Sequence, residues 1–224
     1  HGHQPMSFDN IEIVFNGEVY NFKEIKDELL KYDYTFFSDS DTEVILKSFI
    51  EWKEKCLEKF HGMFAIYSKK EETLFLARDR VGVKPLYFYK KDITFLFSSE
   101  IKAFHEHPSF EKKLSYEGLS QYLKYSYIPA PYTIFEDCYK LEPGHYMYVN
   151  IETLDIDKKC YWDAKTFYDM PKLNISYEEI LTKSFELRMV SDVPVGMFLS
   201  GGIDSSTLLA LLSKEIGFEE NEFN

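Results

Sequence analysis

The chain has 224 residues, a formal net charge of −12 and an aromatic content of 17%. Its acidic balance argues against broad binding to nucleic acid or to an anionic membrane, because both need a basic face, and no apolar run approaches the roughly 18 residues that span a bilayer. The three cysteines are widely spaced, which indicates free thiols in a reducing compartment, so we expect a cytoplasmic protein.

The first part of the chain alternates short strand-like runs with amphipathic helices. Residues 11–15 form a β-branched and aromatic run that ends at the turn signal Asn16-Gly17. The apolar spacing over residues 22–29 predicts a helix. Residues 40–43, Ser-Asp-Thr-Glu, have the pattern of a capping box that opens a second helix. The side chains expected on its buried face are Ile45, Phe49 and Trp52.

A group of strands follows, and then a helix and a strand pair. Short polar or Gly/Pro connections separate four apolar runs, which predict an antiparallel meander at residues 63–67, 73–77, 86–89 and 94–97. Further patterns predict a helix at 115–125 and paired strands at 146–151 and 156–161. Strands that are grouped apart from helices favour an α+β layered domain.

The composition changes after residue 162. An aperiodic stretch is interpreted as a linker, a second capping box at residues 176–179 predicts a helix, and the apolar run 193–199 predicts a strand buried on both faces. At roughly 100–200 residues per domain, the length allows one complete domain and part of another. We therefore predict a first domain over 1–162, a linker over 163–175 and the start of a second domain over 176–224.

The most specific motif is the Gly-rich segment 200–206, Ser-Gly-Gly-Ile-Asp-Ser-Ser, which is followed by a helical pattern over 207–216. Consecutive glycines let the backbone approach a ligand closely, and a helix N-terminus with nearby hydroxyls suits a phosphate. The segment does not match the Walker sequence. The order of strand, Gly-rich turn and helix predicts the opening of an α/β nucleotide-binding domain.

Segment 200–206 resembles the pyrophosphate-binding loop of ATP pyrophosphatases that activate carboxylates by adenylylation. Other blocks resemble glutamine-hydrolysing asparagine synthetases in the same order along the chain, at residues 2–6, 15–21, 40–46, 62–65, 77–87, 99–103, 143–145 and 191–196. The resemblance implies an N-terminal-nucleophile (Ntn) hydrolase αββα sandwich, followed by the start of an α/β PP-loop ATP pyrophosphatase domain. It covers the whole chain.

In that family an N-terminal cysteine attacks the glutamine amide, and its own α-amine acts as the base. The resemblance implies that the Asn16 side-chain amide and the Gly17 backbone N–H form the oxyanion hole. It also implies that Glu18 and Asp41 hold the α-ammonium of glutamine and that Gln4 lines the glutamine pocket. We interpret four further residues as a structural ion-pair turn between strands: Arg78, Asp79, Arg80 and Lys84.

None of Cys56, Cys138 and Cys160 matches the position of the family nucleophile. The resemblance places that cysteine, and the arginine that binds the glutamine carboxylate, upstream of the block at residues 2–6. We therefore expect residues 1–224 by themselves not to hydrolyse glutamine.

For the second domain, the resemblance implies that ATP and aspartate form β-aspartyl-AMP with the help of Mg²⁺, and that ammonia from glutamine then gives asparagine. We interpret Asp204 as acting through Mg²⁺ or by orienting the loop, because a bare carboxylate repels phosphates. The ATP-binding residues implied are Leu199, Ser200, Gly201, Gly202, Asp204, Ser205 and Ser206. No residues are assigned as direct ligands of a resident metal.

Other interpretations stay open. Related enzymes that amidate a sugar carboxylate, and the β-lactam synthetases, have similar loops, and the resemblance places the pocket for the acceptor carboxylate after residue 224. The chain also fits a non-catalytic fragment or paralogue. The expected partners are glutamine, aspartate and ATP, and the sequence leaves the oligomeric state open, a homodimer included.

Overall fold

The computed structural model describes residues 2–70, 72–170, 174–191 and 194–216. They fall into two compact units, His1–Phe167 and Tyr168–Asn224. The strands are β1 (Met6–Phe8), β2 (Ile11–Val19), β3 (Gly62–Lys70), β4 (Thr73–Arg78), β5 (Tyr87–Lys91), β6 (Thr94–Ser98), β7 (Cys138–Lys140), β8 (His145–Asn150) and β9 (Ile156–Cys160). The α-helices are α1 (Phe22–Leu30), α2 (Asp41–Trp52), α3 (Cys56–Lys59), α4 (Tyr116–Tyr125), α5 (Tyr177–Arg188) and α6 (Ile203–Ile216).

Two antiparallel sheets form the centre of the first unit. The larger sheet has the order β1-β2-β3-β4-β8-β9, and the smaller one has the order β6-β5-β7. The predicted meander is wrong, because β4 pairs with β8 and β5 pairs with β7, so β4 and β5 lie in different sheets. The turn predicted at Asn16-Gly17 is also wrong, since β2 continues through both residues to Val19.

Apolar clusters place the layers of the first unit. One cluster joins α1, α2 and α3 to one face of the larger sheet. A second cluster fills the space between the sheets, with Leu76 and Met147 from the larger sheet and Phe88 from the smaller one. A third covers the outer face of the smaller sheet, where Tyr89 packs with Phe104 of the 3-10 helix Ile101–Glu106. The predicted αββα order of layers is therefore confirmed.

The helix predictions in this unit are confirmed in position. α1 buries Ile25 and Leu29 at the expected spacing, and α4 begins after Ser115, whose hydroxyl accepts a hydrogen bond from the Gly118 N–H. α2 is buried more completely than one face requires, since every residue from Thr42 to Phe49 is buried. Its outer face is therefore covered as well, in part by residues 35–38, which hydrogen-bond to Glu43 and Lys47.

The second unit is described by its two helices. The predicted capping box of α5 is confirmed, because Ser176 and Glu179 hydrogen-bond reciprocally, and a 2.8 Å ion pair between Lys214 and Glu178 joins α6 to α5. The strand predicted over 193–199 is wrong for residues 194–199, and residue 193 lies outside the described residues. A buried parallel strand needs neighbouring strands. Among the described residues of this unit, the regular secondary structure consists of helices. No helix in the described parts of the chain is long and apolar enough to cross a membrane.

Candidate active site

The second half of β2 carries three predicted site residues in succession. Side chains alternate between the faces of a strand, and Phe15 and Val19 are buried against the helices, whereas Asn16 and Glu18 are exposed on the opposite face. The ladder partner of Asn16 is Ala65, which belongs to the core between the two sheets. The Asn16 side chain therefore lies on the side of β2 that faces the smaller sheet.

Gly17 lies where β2 and β3 approach too closely for a side chain. Its φ angle is +154°, and an added Cβ would lie 2.0 Å from the Met63 carbonyl oxygen. Gly62 on β3 is equally confined, since its Cβ would lie 2.1 Å from the Glu18 carbonyl oxygen. The two glycines keep this end of the ladder tight, and the backbone on either side of position 17 is fixed as a result.

The Asn16 amide is bonded to the other sheet. Its Nδ2 donates a 2.9 Å hydrogen bond to the Oγ of Ser99, which directly follows β6. An asparagine amide carries two N–H donors, so one stays available to a ligand when the other is held by the serine.

Gln4 and Asp41 meet the same stretch of β2 from two other segments. The Gln4 Oε1 accepts a 2.6 Å hydrogen bond from the Phe15 N–H, and the Asp41 Oδ2 accepts one of 3.2 Å from the Val19 N–H. Burial raises the pKa of the Asp41 carboxyl, although hydrogen bonds from Val19 and Thr42 partly oppose it. The structure thus brings all five residues predicted for the glutamine site together along the end of β2: Gln4, Asn16, Gly17, Glu18 and Asp41.

This arrangement places hydrogen-bond donors and acceptors along one stretch of β2. The Asn16 amide can donate to a developing oxyanion, and carboxylates at Glu18 and Asp41 can accept from an ammonium group. A carboxylate that is partly desolvated binds an ammonium more strongly than one in water does, because the local dielectric is lower. The chemistry fits an α-amino acid that carries a reactive carbonyl.

The start of α2, which holds Asp41, is supported by a buried ion pair. The Ser40 hydroxyl accepts from the Thr42 N–H at 3.1 Å, but the rest of the predicted capping box does not form, because Glu43 points elsewhere. Its carboxylate lies 2.5 Å from the Lys47 ammonium and accepts hydrogen bonds from the N–H and the hydroxyl of Ser38. Burial alone raises the pKa of Glu43, but these hydrogen bonds outweigh it, so the pKa is lowered.

Residues 78–84 form a structural turn, although the expected ion pairing is not how it is held. The Arg78 guanidinium donates to the carbonyls of Gly82, Lys84 and Leu141. The Asp79 carboxylate, which is fully buried, accepts from the N–H groups of Phe64, Val83 and Lys84. Charged side chains that bond to backbone groups in this way fix the chain path, which is a structural role.

None of the three cysteines lies at this site. Cys56 and Cys138 are buried in two different core clusters, and burial raises the pKa of both thiols. Cys160 is exposed, but it ends β9 at the opposite edge of the larger sheet, with β3, β4 and β8 between it and β2. A nucleophile acting at Asn16 is therefore not one of these thiols.

The loop at residues 200–206 forms a hydroxyl-rich entry to α6. Helix α6 begins at Ile203, four residues earlier than predicted, so Asp204 and Ser205 lie in its first turn. Gly201 adopts φ +77°, a left-handed conformation that favours glycine. The hydroxyls of Ser200 and Ser205 lie 3.1 Å apart, and both contact the loop backbone.

The donor set of this loop fits a phosphate. The first N–H groups of a helix have no partner within the helix, and Leu199, Gly201, Gly202, Asp204 and Ser206 are all exposed. The loop therefore offers hydroxyl and N–H donors to an anion. Among the described residues, no group of three or more His, Cys, Asp and Glu side chains is arranged to hold a metal ion.

Ser99 is the residue that sequence reasoning did not assign. It lies in the block 99–103, which carries the family resemblance, but no spacing rule links residue 99 to residue 16. The segment also borders a surface depression of about 590 Å³. The lining residues are Ser98, Ser99, Glu100, Lys102, Ala103, His105 and Glu106.

Comparisons with known proteins agree with both units. A family model described as a glutamine amidotransferase domain matches residues 1–162, and one described as asparagine synthase matches residues 176–218. Two curated relatives from Bacillus subtilis, the glutamine-hydrolyzing asparagine synthetases 3 and 1, are 37% and 36% identical over 94% and 100% of this chain. The chain spans only 36% and 37% of the lengths of these relatives.

Solved structures share the fold. The glutamine phosphoribosylpyrophosphate amidotransferase of B. subtilis, complexed with ADP and GMP, superposes with a TM-score of 0.51 at 18% identity. The match covers 96% of this chain and 47% of that chain. At this identity the similarity shows the fold alone.

Proposed function

Because the chain belongs to the glutamine amidotransferase family, we propose that the protein containing it hydrolyses glutamine at the end of β2 and uses the ammonia to make asparagine. The observation that carries this proposal is that the predicted residues lie along one stretch of β2, where Asn16 and Gly17 adjoin and the Asp41 carboxylate accepts from the Val19 N–H. A thiolate attacks the glutamine amide carbon, the Asn16 and Gly17 N–H groups stabilise the oxyanion, and ammonia leaves as a thioester forms. Water then releases glutamate.

In the second domain, ATP and aspartate form β-aspartyl-AMP and pyrophosphate, and ammonia displaces AMP to give asparagine. Leu199 contacts the adenosine, and the pyrophosphate is bound by the loop residues Ser200, Gly201, Gly202, Asp204, Ser205 and Ser206. The hydroxyls at the entry to α6 and the N–H groups of its first turn support this role. Mg²⁺ assists, and Asp204 acts through it or orients the loop.

Further properties complete the proposal. Residues 1–224 by themselves do not turn over glutamine, because their thiols are buried or lie across the sheet from Asn16. The chain divides into a glutaminase domain over 1–162, a linker over 163–175 and a synthetase segment over 176–224. Three free cysteines support a cytoplasmic location. A homodimer stays a prediction.

An isotope experiment on the intact protein tests the function. Glutamine labelled with ¹⁵N in the amide should deliver the label to the side-chain amide of asparagine, only when ATP and aspartate are both present. Asn16→Ala should lower the glutaminase kcat by about 10²- to 10³-fold and leave asparagine synthesis from ammonium salts intact. Label in the amide of another carboxylate would identify a different acceptor, and wild-type glutaminase activity in Asn16→Ala would contradict the assigned site.

The ATP site has its own test. Asp204→Asn should slow the exchange of pyrophosphate into ATP in the presence of aspartate, while Glu186→Gln, an exposed change on α5, serves as the control. Unchanged exchange in the Asp204 variant would remove that residue from the proposal without affecting the glutaminase site.

A further inference from the structure

The hydrogen bond between Asn16 and Ser99 crosses from one sheet to the other and belongs to neither core. It joins the exposed face of β2 to the residue that directly succeeds β6, with an Nδ2 to Oγ distance of 2.9 Å. The contact occurs at the one side chain to which the proposed function gives an oxyanion role. Any catalytic role of this hydrogen bond therefore depends on the proposed function, which gives Asn16 its oxyanion role.

Ser99 is held by its own segment. The Ala103 N–H donates a 3.2 Å hydrogen bond to the Glu100 carbonyl at the start of the 3-10 helix, an anchor that needs no side chain. Ile101, which begins the 3-10 helix, packs against the outer core cluster of the smaller sheet. The backbone at Ser99 is therefore a fixed point that is anchored independently of β2.

The amide of an exposed asparagine needs such a fixed point. Rotation about its last side-chain torsion is broad, and a half turn replaces the two N–H donors by the Oδ1 acceptor. An acceptor aimed at an oxyanion repels it. The hydrogen bond to the Ser99 hydroxyl restrains this rotation, and in the observed orientation, where the hydroxyl accepts from one N–H, the second N–H is left for the ligand.

We propose that Ser99 is a positioning residue for glutamine hydrolysis, which orients the Asn16 amide toward the oxyanion through its hydroxyl. It touches neither the substrate nor the nucleophile. Ser99 therefore acts on the transition state, in which charge develops on the substrate oxygen. In the proposed function, binding of ground-state glutamine depends on other groups, Asp41 among them.

Ser99→Ala in the intact protein removes the acceptor. The glutaminase kcat should fall about tenfold, less than the loss on deleting a donor outright, while KM stays within about twofold, as expected for an interaction realised in the transition state. Ser99→Thr keeps a hydroxyl and should retain most of the kcat. Ser98→Ala is the matched control, since Ser98 bonds to Glu100 and not to Asn16.

Two internal measurements separate positioning from folding. Asparagine synthesis from ammonium salts and the melting temperature should be unchanged in Ser99→Ala. A double variant with Asn16→Ala should lose no more activity than Asn16→Ala alone, because the serine has nothing left to orient.

The outcomes are distinguishable. A normal kcat in Ser99→Ala, when Asn16→Ala is impaired, overturns the positioning role and leaves the proposed function standing. Additive losses in the double variant, or equal losses in Ser99→Ala and Ser98→Ala with a lowered melting temperature, also overturn it. Full glutaminase activity in Asn16→Ala contradicts the oxyanion site of the proposed function, on which this inference rests.

Discussion

Replacing Lys47 by methionine tests whether the buried Glu43–Lys47 ion pair stabilises helix α2, which carries Asp41 at its start. The Glu43 and Lys47 side chains are 0% and 1% exposed, so the substitution leaves a carboxylate buried without its counter-charge. Removing one partner of a buried pair costs about 3–5 kcal/mol. Glu43 keeps three hydrogen bonds, from the N–H groups of Phe37 and Ser38 and from the Ser38 hydroxyl. We therefore expect the lower end of that range, about 3 kcal/mol.

The measurement is urea unfolding of the intact protein, combined with hydrogen exchange of the α2 amides to isolate this unit. A loss below about 1 kcal/mol, within the range of an exposed ion pair, would refute the reasoning and mean that Glu43 is hydrated or protonated without Lys47. The double variant Glu43→Gln/Lys47→Met removes both charges and keeps an acceptor for Ser38. It should be more stable than Lys47→Met.

Acid should reveal the same pair. Because the pKa of Glu43 is lowered in the folded protein, its stabilisation is fully present above the ordinary value of 4.5 and is lost as the pH falls toward the folded value. The difference in free energy of unfolding between the wild type and Glu43→Gln/Lys47→Met should therefore become smaller as the pH falls below 4.5. A difference in stability that stays constant over this pH range would contradict an ionised Glu43.

Substitutions at Gly17, Asp79 and Asp41 test three further parts of the site and its support. Gly17→Ala should destabilise the protein by about 3 kcal/mol or prevent folding, since its Cβ would meet the Met63 carbonyl at 2.0 Å; urea unfolding measures it. Asp79→Ala should cost about 2–4 kcal/mol in the same assay, because it orphans several buried N–H groups. Burial raises the pKa of Asp41, so its favourable contribution is present below the ordinary value of 3.8 and lost as pH rises. Asp41→Asn should therefore stabilise the unliganded protein at neutral pH while weakening glutamine binding.

Each of the three has a control. Gly196→Ala meets nothing within 4 Å, and equal effects at Gly17 and Gly196 would contradict the steric argument. Asp79→Asn keeps an acceptor oxygen, so it should be milder than Asp79→Ala. An Asp41→Asn variant that is less stable than wild type at neutral pH would mean that its hydrogen bonds outweigh its burial.

Local features of this fold were predictable, and features set at long range were not. The helices α1, α4 and α5 are encoded within one turn or two, by apolar spacing in α1 and by a capping box in α5, and their positions were predicted. The Asn16-Gly17 pair is typical of a turn, and nothing local shows that β3 pairs with it through Ala65 and Phe64. The pairing of β4 with β8 skips an entire sheet, which strand patterns do not reveal.

The candidate site shows the same division. Asn16, Gly17, Glu18 and Asp41 were predicted because they stand in recognisable blocks, and hydrogen bonds then place Gln4 and Asp41 beside β2. Ser99 lies in such a block, but its hydroxyl gains meaning only when the two sheets are stacked. The strand predicted over residues 194–199 was wrong for a related reason. An apolar run becomes a strand only beside other strands, and the sequence of the run does not show whether they are there.

The strand order has a consequence for synthesis on the ribosome. β8, the partner of β4, begins at His145, so the β4 edge and the apolar side chains of Leu74 and Leu76 stay uncovered until that part of the chain has emerged. Nascent chains that end before β8 expose an aggregation-prone edge. Once β9 has paired, the final edge of the sheet carries Lys158 and Lys159, charged residues of the kind that discourage further strand addition.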